Sequence, residues 1–383
     1  MELQHRHPRP DAITRRQVLG GVAGSLLCGL SGNATQAATN SPARRLIYLF
    51  LSGGASQLET WDPKSGATTG SPFGAIRTSV PGVQVSELLP GIAHQMHHVA
   101  LVRSINSVGF GVDHFGEGVL TGRAPQASLR YPTLPEIAAA YLPRPARALP
   151  AYVELQSTDA FRFEAKAAES PLGPETRPLL VTAGKLEGSD RQPDELLAVG
   201  GLLGARRMGA GERERYGASD LGRHCLQARR LAEAGLPVVK IRHTWWDTHA
   251  EHFETHRRLT AELDRALSAL LQDLHDRGLL DSTLVVVASE FGRSPQLNRY
   301  GGRDHWPHAW SVALAGCGVR GGAVVGRTSP DGREVVEREV TPAHLHHTCL
   351  QALGVDPDLT VKVGGRAVPL ADASVSPIRE LFG

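Results

Sequence analysis

The sequence predicts an α/β fold with a mostly parallel central sheet and helices on both faces. Short apolar runs alternate along the chain with helical segments, which is the order of elements in parallel α/β sheets. The runs are apolar at successive positions rather than at alternate ones, as expected for strands that are buried on both faces. A chain with 41% hydrophobic and 21% charged residues also has the composition of a soluble globular protein.

The strands and the clearest helix can be assigned in chain order. Five segments are predicted as buried strands: 45–51, 99–104, 237–242, 284–288 and 310–315. The helix is predicted over residues 256–277, where an apolar stripe at helical spacing consists of Leu259, Leu263, Leu267, Leu270 and Leu274. Gly278 follows the stripe and is expected to end the helix.

The first 38 residues are predicted to be a twin-arginine export signal. Arg15-Arg16 is followed by a short apolar segment rich in glycine and alanine, and then by small residues up to Ala38. The apolar segment is shorter than the roughly 20 residues that a bilayer span needs, so no stable span is expected after processing. The predicted partner is the twin-arginine export machinery, and the predicted location is periplasmic or secreted. The alternative is a tail with a chance pair of arginines.

Residues 39–383 are predicted to form a single α/β domain. Residues 142–220 are rich in proline, glycine and charge, and are predicted as an insertion or a cap over the site. A formal net charge of +2 gives no reason to expect a nucleic acid as a partner. The cysteines that follow the signal are Cys225, Cys317 and Cys349, an odd number without close spacing, which predicts no disulfide framework.

Carboxylates and histidines follow several of the predicted strands, where open α/β sheets bind their ligands. The candidate metal ligands are Asp62, Asp113, His114, Asp247, His249, Glu290, Asp304 and His305. Asp247 and His249 lie two positions apart, so that in an extended segment their side chains project the same way. The mixture of carboxylate and imidazole suits a divalent ion, with Zn, Mn or Ca as the candidates.

Three of the polar residues are candidates for a catalytic role. His114 would act as a general acid or base, because imidazole titrates near neutral pH. Arg293 or Arg303 would stabilise the charge that develops on an anionic substrate. Structural roles are the alternatives: Glu290 would form an ion pair with Arg293, and Asp247 would cap an aromatic core.

A second histidine pair allows two interpretations. His252 and His256 are four residues apart near the predicted helix start, so they could share one metal ion. Alternatively, they belong to an exposed helix face.

Several motifs resemble those of a known superfamily. The segment 263–287, in which a helix leads through Gly-Leu-Leu-Asp-Ser-Thr into a strand, and the Leu-Thr-Gly-Arg run at 120–123 are similar to the alkaline phosphatase and sulfatase superfamily. A further set of motifs resembles an exported bacterial family, domain of unknown function 1501: the twin-arginine signal, Ser-Gly-Gly at 52–54, Trp-Asp-Pro-Lys at 61–64, Trp-Asp-Thr-His at 246–249, Glu-Phe-Gly-Arg at 290–293 and Gly-Arg-Asp-His-Trp at 302–306. The resemblance implies an alkaline-phosphatase-like three-layer fold and a divalent metal site.

The sequence departs from the superfamily at important positions. The paired acids that usually follow the first strand are replaced by Ser-Gly-Gly at 52–54, and the nearest acids are Glu59 and Asp62. The position of the sulfatase nucleophile falls on Val112, which cannot attack an ester. The late Asp-His or Asp-Asn pair reads Glu290-Phe291. A sulfatase with a covalent formylglycine cycle is therefore not expected.

Two functions follow from these observations. The first is an exported, metal-dependent hydrolase of an anionic phosphate or sulfate ester, in which one or two ions polarise the ester and activate water. The second is a non-catalytic binding or assembly protein of the cell envelope on the same scaffold. The two differ in whether the acids and histidines converge around one ion or are each neutralised by a basic neighbour.

Overall fold

A nine-stranded sheet forms the centre of the protein. The structure is a computed structural model that describes residues 43–111, 113–144, 149–157, 169–187, 191–204 and 209–383. The predicted export signal and Val112 lie outside these residues. The strands are β1 (Arg45–Leu51), β2 (Ala75–Arg77), β3 (Gln84–Ser86), β4 (Val99–Ile105), β5 (Tyr152–Gln156), β6 (Leu179–Thr182), β7 (Lys185–Glu187), β8 (Val238–His243), β9 (Thr283–Ala288), β10 (Gly292–Leu297), β11 (Arg303–Trp306), β12 (Trp310–Ala315), β13 (Val324–Val325), β14 (Arg327–Thr328), β15 (Val335–Glu337), β16 (Thr360–Val363) and β17 (Arg366–Pro369).

The helices connect and cover these strands. They are α1 (Pro90–His94), α2 (Glu117–Thr121), α3 (Leu134–Tyr141), α4 (Pro193–Leu203), α5 (Ala210–Tyr216), α6 (Asp220–Glu233), α7 (His252–Asp276) and α8 (Pro342–Leu353). Among the residues that the structure describes, no helix has both the length and the apolarity that a membrane span requires.

The central sheet is mixed but mostly parallel. Its strand order is β13-β4-β12-β9-β1-β8-β5-β6-β7. Within it, β12 is antiparallel to both of its neighbours and β7 is antiparallel to β6, while the other pairs are parallel. The segment between β9 and β12 contains the β10–β11 pair and no helix, so β12 lacks the crossover that a parallel neighbour needs.

Alternate residues of β1 face opposite sides of the sheet, as the strand period of two requires. Leu46, Tyr48 and Phe50 belong to a core that includes residues of α3 and α8. Ile47, Leu49 and Leu51 belong to a second core that includes residues of α6 and α7. The predicted three-layer α/β fold, with a mostly parallel sheet between two helical layers, is therefore confirmed.

The long helix α7 begins earlier than predicted. It starts at His252 rather than at His256, and the predicted leucine stripe is buried along its length. Both histidines are 0% exposed, so the interpretation of this pair as an exposed face is wrong. They extend the buried side of the helix by one turn. Gly278 follows the helix with a φ of 64°, the left-handed conformation that favours glycine.

The region 142–220 supplies strands as well as helices. Its strands β5, β6 and β7 form one edge of the central sheet, and its helix α4 packs against α6. Strand β5 was missed in the sequence because Glu154 interrupts its apolar pattern. That carboxylate is nevertheless buried, because Lys240 and Arg242 of the adjacent strand β8 pair with it.

A buried histidine of α8 predicts a loss of stability in acid. Burial lowers the pKa of His346 to about 3, with the nearby Arg123 as a further cause, and its Nε2 has no hydrogen-bond partner among the described residues. The unfolded chain protonates this ring below about 6.5 and the folded chain only below about 3, so the free energy of unfolding falls as the pH drops through that window.

Replacing His346 by leucine should remove this contribution. We expect His346→Leu to be at least as stable as the wild type at pH 7, and more stable by about 3 kcal/mol at pH 4.5. Urea unfolding at the two pH values measures the difference. An equal loss of stability in the variant and in the wild type between those values would contradict the prediction.

Candidate metal centre

The polar cluster lies at the carboxyl ends of the central strands. Asp247 and His249 follow β8, Glu290 follows β9, and His114 lies in the segment after β4. His305 belongs to β11. A hydrogen bond of 3.0 Å from the Arg303 amide to the Thr248 carbonyl holds this strand against the loop after β8. Three separate stretches of the chain and the β10–β11 pair therefore meet at one edge of the sheet, where parallel α/β sheets bind ligands.

The side chains of this cluster are close enough to hold one ion. One ligand atom from each of His114, Asp247 and His305 lies within 4.8 Å of the others. His249 Nε2 is 3.1 Å from Asp247 Oδ1 and 3.1 Å from His305 Nε2. His305 Nε2 is itself 3.1 Å from the same Asp247 oxygen. In tetrahedral sites with bonds of about 2.0–2.1 Å, ligand atoms lie roughly 3.3 Å apart, so this spacing fits a small divalent cation.

Two carboxylates orient histidines toward this point. Glu290 Oε1 accepts from His114 Nδ1 at 3.1 Å, and Asp304 Oδ1 accepts from His249 Nδ1 at 3.0 Å. In each case Nδ1 faces the carboxylate and Nε2 is the ring nitrogen on the side of Asp247; His114 Nε2 lies 3.5 Å from Asp247 Oδ2. Histidines that bind metals usually donate their other ring N–H to a carboxylate in this manner. Glu290 and Asp304, predicted as ligands, each contact one of these histidines through a carboxylate oxygen.

The environment of Glu290 explains why its carboxylate can be buried. Its Oε1 also accepts from the Gly53 amide at 2.7 Å, and Ser289 Oγ lies 3.1 Å from Oε2. The hydrogen bond to Glu290 is the largest cause that raises the pKa of His114, and it outweighs the effect of burial. The alternative ion pair between Glu290 and Arg293 is not formed, because Arg293 pairs with Asp247 instead.

Asp247 is held in its charged form by the cluster. Burial alone would raise its pKa, but hydrogen bonds with His305 and Arg293 hold the pKa well below its usual range. Arg293 Nη2 lies 2.5 Å from Asp247 Oδ1, and the same guanidinium donates to the carbonyls of Gly54 and Arg303. Arg293 is 0% exposed, so it positions the aspartate rather than facing the open side of the cluster.

Glycine at position 53 is required by the close approach of the loop after β8. Its φ is +111°, and a Cβ atom there would lie 2.4 Å from the Asp247 amide nitrogen. Any side chain at this position would displace the Asp247 backbone. An acidic side chain at position 53 is therefore incompatible with this route of the chain, and Asp247 reaches the cluster from the loop after β8.

Aromatic rings close one side of the cluster. Phe291 stacks on His305 with ring centroids 4.1 Å apart and is fully buried. Trp246 is also buried and donates from Nε1 to His243 Nδ1 at 3.1 Å. Trp245, by contrast, is 48% exposed and has a φ of 78°.

Three predicted site residues have partners outside the cluster. Asp62 is buried and accepts from Thr328 Oγ1 at 2.5 Å and from Lys64 Nζ at 3.0 Å. Asp113 accepts from the Phe115 amide at 2.9 Å and so shapes the loop of His114. Arg303 is 0% exposed and pairs with Glu59 at 3.1 Å. In the part of the chain that the structure describes, none of the three contacts a ligand atom of the cluster.

A second network lies entirely inside the protein. Glu59 Oε2 accepts from His252 Nε2 at 2.9 Å, and its Oε1 accepts from Arg303. His252 Nδ1 lies 2.6 Å from Thr248 Oγ1, and His256 Nε2 accepts from the Ser56 amide at 3.1 Å. The histidine pair of α7 therefore makes structural hydrogen bonds. The network ties the helix to the loop that carries Asp247 and to β11, which carries His305.

Asn298 is a site residue that the sequence analysis missed. Its Nδ2 donates to Asp304 Oδ1 and to the His249 carbonyl, both at 3.0 Å. Its Oδ1 accepts from the Gly302 amide at 3.0 Å. The signal was present in the sequence, because asparagine shortly before Gly301-Gly302 is typical of a turn shaped by its side chain.

The orientation of His249 gives a prediction for Asp304. The hydrogen bond from Asn298 is the largest cause that lowers the pKa of Asp304, followed by the bond from His249. We expect Asp304→Asn to weaken divalent metal binding by about 10- to 100-fold, as for loss of other outer carboxylates, and to leave the fold intact because Asp304 is exposed. Metal titration with circular dichroism as the fold control measures both. Unchanged affinity would contradict the orienting role.

Comparisons with known proteins identify the family. A family model described as Protein of unknown function (DUF1501) matches residues 43–181 and 199–382. No curated protein matches the sequence significantly.

Three similar solved structures illustrate the fold. The PsFucS1 sulfatase from Pseudoalteromonas sp. is 13% identical, with 82% of this chain and 68% of that chain covered and a TM-score of 0.45. The phosphonate monoester hydrolase of Agrobacterium radiobacter is 11% identical, with 88% and 77% covered and a TM-score of 0.43. A protein in the alkaline phosphatase superfamily from Vibrio parahaemolyticus is 14% identical, with 82% and 67% covered and a TM-score of 0.40.

TM-scores below 0.5 say nothing about the chemistry of this chain. The family match, in contrast, extends over most of residues 43–382, and it agrees with the motifs that resemble domain of unknown function 1501. The chain therefore belongs to the family described as Protein of unknown function (DUF1501).

Proposed function

We propose that this protein is an exported, metal-dependent hydrolase of a phosphate or sulfate ester. The observation that supports it best is the convergence of His114, Asp247 and His305, whose ligand atoms lie within 4.8 Å of one another. Convergence of side chains from distant segments is what a metal site requires. The motif resemblance to the alkaline phosphatase and sulfatase superfamily supports an anionic ester as the substrate.

The donor set fits a divalent cation. Asp247 and His305, with Nε2 of His114 and His249 beside them, would hold the ion through one carboxylate and imidazole nitrogens, which suits zinc or manganese better than calcium. When bound, such an ion supplies Lewis-acid polarisation of the ester oxygen. Arg293 offsets part of the negative charge that Asp247, Glu290 and Asp304 bring to the cluster.

The remaining residues act on the geometry of the cluster. Arg293 fixes Asp247, while Glu290 and Asp304 hold the rings of His114 and His249 with Nε2 facing inward. Phe291 keeps water from one side of His305. The imidazole of His114, whose pKa is raised by the hydrogen bond to Glu290, would exchange a proton with the ester or with water if it does not hold the ion.

Activity measurements on metal-loaded protein test the proposal. Chelator-treated protein should be inactive, and Zn²⁺ or Mn²⁺ should restore hydrolysis of 4-nitrophenyl phosphate, bis(4-nitrophenyl) phosphate or 4-nitrophenyl sulfate. His305→Ala should abolish the restored activity. His98→Ala serves as the matched control, because His98 directly precedes β4 whereas the cluster lies beyond the other end of that strand. An ion bound at the cluster without turnover of any ester would favour the non-catalytic binding protein.

Export is a separate part of the proposal. The twin-arginine motif, the short apolar segment and the small residues up to Ala38 support it. Changing both Arg15→Lys and Arg16→Lys should leave the protein in the cytoplasm, because the export machinery reads the arginine pair. Cell fractionation of the wild type and the double variant measures this, and equal amounts outside the cytoplasm would contradict twin-arginine export.

A further inference from the structure

A buried lysine lines a cavity on the side of the central sheet that α3 covers. The cavity has a volume of about 670 Å³, which is within the range of small-molecule sites. Lys240 of β8 belongs to its lining, although only 4% of this residue is exposed. The other lysines that the structure describes, Lys64, Lys185 and Lys362, are partly or fully exposed. The metal centre makes no use of this buried amine.

The amine shares its carboxylate with a second cation. Glu154 Oε1 lies 3.2 Å from Lys240 Nζ and 3.2 Å from Arg242 Nε, and its Oε2 accepts from the Tyr152 hydroxyl at 3.2 Å. All four residues line the cavity. Because Arg242 stays paired with Glu154, the carboxylate keeps a cationic partner when Lys240 loses its proton. The loss of that proton therefore leaves no buried charge unpaired, which is the usual cost of breaking a buried ion pair.

Burial favours the neutral form of this amine. It lowers the pKa of Lys240 to about 8 against the attraction of Glu154, and the charge of Arg242 acts in the same direction as burial. Glu136 of α3 adds a smaller attraction and is itself paired with Arg130 at 2.8 Å. About a tenth of the amine is then neutral at pH 7, compared with less than about 0.1% for a lysine of ordinary pKa. The neutral amine is the form that attacks a carbonyl carbon.

The walls of the cavity suit an organic ligand. They include three apolar or aromatic side chains, those of Leu120, Tyr131 and Phe115. The ring centroid of Phe50 lies 5.5 Å from Lys240 Nζ. Such side chains bind the carbon skeleton of a small molecule. With Lys240 neutral, the charges of Arg242 and Glu154 cancel, which favours an uncharged ligand.

We propose that Lys240 forms a Schiff base with an uncharged aldehyde that binds in this cavity. The nitrogen lone pair attacks the carbonyl carbon, so that a C–N bond forms and the π bond of the carbonyl breaks. The two hydrogens of the amine move to the oxygen as protons, the C–O bond breaks, and one water leaves as the C=N bond forms. Protonation of the imine restores the positive charge, which Glu154 stabilises as it stabilises the ammonium. The step needs no metal ion, so the proposal stands or falls independently of ester hydrolysis.

Reductive trapping on the purified full chain tests the proposal. Benzaldehyde is added with sodium cyanoborohydride, which reduces the imine to a stable secondary amine, and peptide mapping by mass spectrometry locates the label among the five lysines of the sequence. At pH 7 we expect Lys240 to be labelled about ten-fold faster than exposed Lys185 and Lys362, because a larger fraction of its amine is neutral. Labelling of Lys240 at or below the rate of the exposed lysines, or only after unfolding in urea, would overturn the proposal.

Competition with an unreactive ligand shows whether the aldehyde reacts from within the cavity. Benzyl alcohol has the same ring as benzaldehyde but no carbonyl group. In excess it should slow the labelling of Lys240 several-fold and leave the labelling of Lys185 unchanged, because Lys185 is exposed on β7. An equal effect of benzyl alcohol on both lysines, or none on Lys240, would show that the cavity does not bind the aldehyde.

The pH dependence of labelling distinguishes a reactive amine from one that is merely accessible. The rate at Lys240 should reach a plateau with a midpoint at about pH 8, whereas the rate at Lys185 should rise up to about pH 10.4. Arg242→Met leaves Lys240 as the sole cation beside Glu154, so the midpoint should rise by about one pH unit or more. Exposed Arg77→Met is the matched control, and circular dichroism checks the fold. An unchanged midpoint in folded Arg242→Met, or a wild-type midpoint near that of Lys185, would contradict the assignment.

Discussion

Asp247→Asn should abolish binding of the divalent ion and the ester hydrolysis that depends on it. Its Oδ1 is the atom on which His249, His305 and Arg293 converge. Asparagine keeps the shape of the side chain but loses the negative charge that the cation and the imidazole dipoles require. We expect metal affinity to fall by well over the roughly 100-fold that follows the loss of an outer carboxylate.

The same substitution should also lower the free energy of unfolding. Its effect on folding is therefore measured separately from its effect on metal binding. Arg293 stays buried without its carboxylate, although it still donates to the carbonyls of Gly54 and Arg303. We expect the free energy of unfolding to fall by about 1–3 kcal/mol. Calorimetric metal titration and urea unfolding measure the two effects, with exposed Asp358→Asn as the matched control. A folded variant that binds zinc as tightly as the wild type would remove Asp247 from the site.

Breaking the ion pair between Glu59 and Arg303 should have the largest effect on stability. Both side chains are 0% exposed, and the carboxylate also accepts from His252. Burial acts against ionisation of Glu59, but the hydrogen bond from His252 and the charge of Arg303 hold its pKa well below the usual range. Removing one member of such a pair leaves the other charge buried and unpaired. We expect Glu59→Gln to lower the free energy of unfolding by about 3–5 kcal/mol.

A double-mutant cycle separates the pair from the rest of its surroundings. Arg303→Met should be similarly destabilising, whereas the double variant should lose clearly less than the two single losses combined, because neither charge then remains buried alone. Urea unfolding of the four proteins gives the coupling free energy. Additive losses would show that the pair is not a buried electrostatic unit. A loss below about 1 kcal/mol for Glu59→Gln would show the same, because that is the contribution of an exposed ion pair.

The strands whose bounds match the prediction are those with unbroken apolar runs. The bounds of β1 and β12 match the predicted segments 45–51 and 310–315, because their apolar runs are unbroken. Strand β5 could not be recognised, since Glu154 lies in its centre and its partners belong to a strand more than 80 residues away. The direction of β12 depends on how the chain between β9 and β12 returns to the sheet, which local pattern does not encode.

The sequence predicted the location of the candidate site better than the roles of its individual residues. His114, Asp247, His249 and His305 meet because residues after neighbouring strands share one edge of the sheet. The same rule suggested that Glu290 and Asp304 bind the ion directly, but their oxygens accept from histidine Nδ1 atoms. The burial of Arg303 against Glu59 depends on contacts more than 240 residues apart in the chain. Sequence patterns identify residue types, not which atom faces which partner.

The central claim is that His114, Asp247, His249 and His305 surround one divalent ion. Crystals of the protein soaked in zinc and measured at the zinc absorption edge test it most directly. The expected result is one anomalous difference peak per chain, about 2.0–2.2 Å from Asp247 and His305 and in contact with Nε2 of His114 or His249. Zinc bound elsewhere in the protein, with no anomalous peak beside Asp247 and His305, would contradict the claim.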